Sequence, residues 1–83
     1  MSELRPAIED VYRQVAAPSW ARPNLDGLAD VLRDLSWLPH GPVRVELPPR
    51  LGGVSAARLR EVLDAAERET AAGPRPVRVV TRP

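Results

Sequence analysis

Two short alternating runs, Val43-Arg-Val-Glu-Leu47 and Val77-Arg-Val-Val-Thr81, stand on either side of one long amphipathic segment. Alternation with a period of two reads as strand. The segment between them, Ser55 to about Ala72, carries Leu59, Val62, Leu63 and Ala66 on one face and reads as a helix, with Ser55 as its cap and Gly73 at its end. A strand, one crossover helix and a second strand form a parallel, right-handed unit. Val43, Val45, Leu47, Val77 and Val79 can line one sheet face, while Arg44, Glu46 and Arg78 point to the other. A parallel sheet buried on both sides would show continuous apolar runs. The pattern therefore predicts an α/β domain of two layers, with strands at about 42–47 and 76–81 and one sheet face at least partly exposed. Two strands alone are marginal, so helices must cover them.

Two such helices precede the first strand. Pro6 to about Ala17 has Leu4, Ile8, Val11, Tyr12 and Val15 on one face, with Pro6 suited to the first turn. Pro18-Ser-Trp20-Ala-Arg22-Pro23 is a proline-bounded loop. Asn24 then caps a second helix that reaches Ser36 or Trp37 before Pro39, Gly41 and Pro42 stop it. A loop, Pro48-Pro-Arg-Leu-Gly52-Gly53, follows the first strand. On the long helix, Arg60–Asp64 and Asp64–Arg68 are opposite charges four apart.

With 83 residues and a net charge of +1, the chain is one domain (1–83) with a thin core and no overall charge bias toward a partner. Every basic residue other than the lone His40 is arginine, but the arginines are scattered among acids, so no nucleic-acid partner is indicated. Cysteine is absent, which removes disulfides, thiolate metal sites and thiol nucleophiles. His40 lies in a Pro-His-Gly-Pro turn without a second histidine, so no metal or cofactor site is expected. Gly52-Gly53 before a helix is only a weak anion-binding signal, because no Gly-Lys-Ser/Thr pattern follows. No stretch approaches a membrane span, and Met1-Ser-Glu-Leu-Arg5 has no secretory pattern, so a cytoplasmic protein is expected.

The second helix carries the most pointed surface signal. Leu25, Leu28, Leu32 and Leu35 form its inner stripe, while Asp26, Asp30 and Arg33 fall outside, with Asp34 nearby. Asp26 and Asp30 are four apart and repel by a few tenths of a kcal/mol. Asp26 also favours its own helix terminus, and Asp30–Arg33 is an ordinary surface pairing distance. Two carboxylates sharing an exposed face lack the burial that separates pKa values for acid–base catalysis, so no catalytic residues are assigned. A basic protein partner is the chemistry that such a ridge would receive. Trp20, in a polar loop, is either an interface aromatic or a lid on the core, and Trp37 is read as core.

The run Asn24-Leu25-Asp26-x-Leu28-x-Asp30-x-Leu32, followed by a proline-rich turn and the strand Pro42–Leu47, resembles the barstar family of ribonuclease inhibitors. The resemblance implies a parallel sheet packed on helices, no enzymatic activity, and inhibition of a secreted ribonuclease from inside the cell. It implies that the second helix and the loop before it enter a basic active site. Asp30 would replace a substrate phosphate and anchor binding, Asp26 would be the second acidic contact, and Asn24 and Trp20 would touch the partner from the loop. An acid on the third helix, Glu67 or Glu69, would complete the surface. The chain departs from the family at Ala21-Arg22-Pro23, which replaces an aromatic-Gly pair, at Ala29, where an aromatic often stands, and at Arg33, where the family has a small polar residue. It opens directly on the first helix, so a fold lacking the family's first strand is expected. That edge could serve a homodimer or a strand-adding partner.

Overall fold

A computed structural model describes residues 4–47 and 53–82. The elements run α1 Leu4–Gln14, α2 Leu25–Asp34, β1 Val43–Leu47, α3 Gly53–Thr70 and β2 Val77–Thr81. The strands pair in parallel with Val43 opposite Val77 and Leu47 opposite Thr81, and α3 is the crossover between them. This is the small α/β arrangement expected from the alternation.

One core joins all five elements. Ile8, Val11 and Val15 come from the first helical segment; Leu28, Val31, Leu32 and Leu35 come from α2. Leu59, Leu63 and Ala66 come from α3, and Val45, Leu47 and Val77 from the sheet. Val43 and Val79 pack against this cluster from its margin, while Arg44 and Arg78 are exposed on the open sheet face. Replacing Leu32, which is 0% exposed, by alanine removes core contacts at the α2 seam. The expected cost is about 2–5 kcal/mol, read as a lowered denaturant midpoint.

The helix ends differ from the sequence-based boundaries, for local reasons. Helix α1 stops at Gln14 rather than near Ala17, because Ala16 adopts a left-handed backbone (φ 53°). The Ala16 and Ala17 N–H groups fold back onto the Arg13 and Tyr12 carbonyls. Helix α2 stops at Asp34, short of Ser36, because Leu35 is its left-handed cap (φ 50°). Leu35 is only 1% exposed, and its burial offsets the backbone strain. Helix α3 begins at Gly53 (φ 81°), so Ser55 lies within the helix instead of capping it, and the Ser55 side chain lies outside the described residues. Helix α3 ends at Thr70, with Gly73 N–H donating to the Thr70 carbonyl at 2.9 Å and without a left-handed glycine. The loop 48–52, including Gly52, lies outside the described residues. Arg60 and Asp64 pair at 3.2 Å, whereas no Asp64–Arg68 ion pair forms among the described residues.

Among the described residues, side chains rather than strands meet the sheet edges. The Gln14 amide spans the outer edge of β1, donating to the Glu46 carbonyl at 2.8 Å and accepting the Glu46 N–H at 2.6 Å. On the β2 side, Val77 N–H donates to Thr70 Oγ1 at 2.8 Å and Val79 N–H to Glu67 Oε2 at 3.0 Å. Arg82 then ties the sheet to α1 through Asp10 at 3.1 Å and to Glu46 at 3.7 Å. Unpaired edge groups template association, and the side-chain caps act against it. Gln14→Leu would leave both Glu46 groups unmet. We expect a loss of about 1–3 kcal/mol in stability and, in sedimentation, new concentration-dependent association.

Candidate functional site

The site starts from a helix cap. Asn24 has an extended backbone (φ −138°, ψ 171°), and its side-chain oxygen accepts the Gly27 N–H at 2.7 Å. This interaction starts α2 and contributes about 1 kcal/mol. Asp26 lies in the first helical turn, and Asp30 follows one turn later. The inner face of α2 is buried, so both carboxylates are left in solvent, with the Asp30 side chain 69% exposed.

The Trp20–Asn24 loop folds over this helix end. The Arg22 carbonyl accepts the Tyr12 hydroxyl and the Asn24 N–H, the latter at 2.8 Å. It lies so close to α2 that a Cβ on Gly27 would collide with it, and that Cβ would also sit 3.0 Å from the Tyr12 hydroxyl. Glycine in a helix ordinarily costs up to about 1 kcal/mol relative to alanine; here it makes room for the loop. Trp20 is 57% exposed and lies edge-on to Trp37, with ring centroids 6.3 Å apart and planes at 86°. Trp37 is half-buried, and its indole N–H donates to the Val15 carbonyl at 2.9 Å.

Trp20, Arg22, Asn24, Asp26 and Asp30 line one open concavity of about 390 Å³, with Gly27 at its floor. The other sequence-derived candidates fall elsewhere. Arg33 lies between two acids, 4.0 Å from Asp30 and 3.4 Å from Glu69. Asp34 faces a separate hollow shared with Arg33, Glu69 and Arg75. Glu67 turns to the β2 edge, whereas Glu69 is joined to α2 through Arg33. Ala29 leaves a groove of about 190 Å³ between α2 and α3, floored by Val62 and Ala65. Among the described residues no group of three or more His, Cys, Asp or Glu side chains is placed to hold a metal ion, and no helix is long and apolar enough to cross a membrane.

A family model described as Barstar (barnase inhibitor) matches residues 5–82. This chain belongs to the barstar family. No curated protein and no solved structure matches it. The barstar match reaches all five elements, leaving out only Leu4 of α1, and includes the loop and helix that form the concavity.

Sequence reasoning missed two residues of this candidate site. Gly27 carried a signal, being a glycine in the first turn of a strongly patterned helix. Tyr12 carried none, because its spacing placed it with the core of α1 and said nothing of its hydroxyl. Burial raises the Tyr12 pKa above 10, and the neighbouring Asp30 carboxylate raises it further. A phenol that keeps its proton more tightly when folded adds stability below the unfolded value of 10, and this is lost as pH rises through the folded value. Tyr12 is the only tyrosine, so an absorbance titration reads it alone. We expect a midpoint above that of a free tyrosine, and a partial fall in Asp30→Asn. Gly27→Ala should lower stability by about 1–2 kcal/mol in denaturant titration, against the gain that helix propensity alone would give.

Proposed function

We propose that this protein is an intracellular inhibitor of a basic ribonuclease, acting as an immunity protein against a nuclease toxin. Its binding surface is the Trp20–Asn24 loop together with the outward face of α2. The observation that carries the reading is the convergence of Trp20, Asn24, Asp26 and Asp30 on one concavity in a chain whose family is described as barnase inhibitors. A carboxylate that is exposed in the free protein and buried against arginine or lysine in the complex can contribute several kcal/mol. Asp30 is the anchor in this reading, Asp26 is the second acid, and Glu69 is the third-helix acid.

Arg33 sets the terms of target choice. Its contacts with Asp30 and Glu69 join side chains that are about half exposed or more. Such surface pairs contribute about 0–1 kcal/mol each. Releasing Asp30 for a partner therefore costs little against the gain from a buried charge pair. The guanidinium itself remains beside the acidic face, and it disfavours targets that place a cation opposite it. The alternative reading, a dimer or strand-adding module working through the sheet edge, has less support. A partner strand would have to displace Gln14 from Glu46, or Thr70 and Glu67 from Val77 and Val79.

Barnase is the direct probe. Wild-type protein should slow its cleavage of RNA, and association should slow steeply with added salt, because steering by acids is screened. Asp30→Ala should weaken inhibition by about 100-fold, equivalent to about 3 kcal/mol, while Arg33→Ala should strengthen it. Equal inhibition by wild type and Asp30→Ala would overturn this assignment of the surface.

A further inference from the structure

We propose that Tyr12 and Gly27 are positioning residues that hold the Trp20–Asn24 loop in its binding-ready shape, an inference that rests on reading this loop as partner-binding. The loop has no helix or strand of its own, and its internal backbone hydrogen bonds are two, Ala21 N–H to the Pro18 carbonyl and Asn24 N–H to the Arg22 carbonyl, so contacts from neighbouring elements add to its order. Its fixed point is the Arg22 carbonyl oxygen. The Tyr12 hydroxyl reaches that oxygen from α1, ten residues earlier in the chain. The Asn24 N–H meets it from within the loop at 2.8 Å. The bare Cα of Gly27 gives it room against α2, and the Gly27 N–H is itself held by the Asn24 side chain at 2.7 Å. One carbonyl thus ties together α1, the loop and the start of α2.

The consequence is kinetic and energetic. A free loop of this kind would have to be ordered when a partner arrives, and ordering side chains and backbone at an interface subtracts from affinity. Here the ordering is done in the free protein, by Tyr12 from α1 and by Gly27 in the lining of the concavity. Tyr12 lies on α1, half-buried behind the loop, and Gly27 has no side chain to offer. Both act through the position of Arg22, Asn24 and the adjacent Trp20. A role for Tyr12 limited to filling the core would depend on its ring alone, and Tyr12→Phe keeps the ring.

Backbone relaxation of the labelled full chain separates these roles without any partner. In Tyr12→Phe the amides of Ala21, Arg22 and Asn24 (Pro23 has no N–H) should lose order, toward order parameters below about 0.6, while α2 and α3 are unchanged. Gly27→Ala should shift the same amides by moving the Arg22 carbonyl. With barnase as the binding probe, Tyr12→Phe should weaken affinity by up to about tenfold, chiefly through slower association, beyond any change in thermal midpoint. Amides of Ala21, Arg22 and Asn24 as ordered in Tyr12→Phe as in wild type would overturn the positioning role, whether or not barnase binds. A loosened loop with barnase bound by neither form would leave the latch standing and defeat the ribonuclease reading instead.

Discussion

Burial of one side of α2 is the constraint on which the rest of this molecule depends. Leu28, Val31, Leu32 and Leu35 are 0–1% exposed, so the helix has a single rotational setting. That setting turns Asp26, Asp30 and Arg33 outward together. The acidic face is therefore a by-product of core packing, and it is as rigid as the core behind it. An 83-residue domain has little stability to spare, which makes this double use of one helix economical. The two α2 termini are fixed by different means: a polar cap at Asn24 and a buried left-handed leucine at Leu35.

The sheet follows a second principle. Two parallel strands leave two open edges, and here Gln14, Thr70 and Glu67 supply the hydrogen bonds that further strands would make. Each cap comes from a helix that already packs on the core, so the Glu46, Val77 and Val79 edge groups are met by residues whose backbones are ordered for other reasons. This explains why Glu67 is spent on the β2 edge while Glu69 faces Arg33. Residues two apart on a helix point to widely separated directions, and each glutamate serves the surface it meets.

Much of this fold was legible because it is written in periodicity. The alternation in 43–47 and 77–81, the leucine spacing of α2 and the Asn24 cap each express a local rule, and each appears where the rule puts it. The helix ends were less legible because alanine and leucine do not announce a left-handed backbone, yet Ala16 and Leu35 adopt one. Of the candidate site, Trp20, Arg22, Asn24, Asp26 and Asp30 could be gathered from sequence because they lie on one loop and one helix face. Tyr12 could not, since its hydroxyl acts across ten residues of chain through a carbonyl that carries no sequence signal. The choice between Glu67 and Glu69 likewise required packing, because helical spacing alone allowed either acid to reach α2.

The central claim is that the Trp20–Asn24 loop and the outward face of α2 form the binding surface. Amide shift mapping of the labelled protein, titrated with barnase at low salt, tests it most directly. Perturbations concentrated on residues 20–34 and around Glu69, with β1 and β2 unmoved, are the predicted result. Perturbations confined to the sheet edges, or none at saturating barnase, would contradict it.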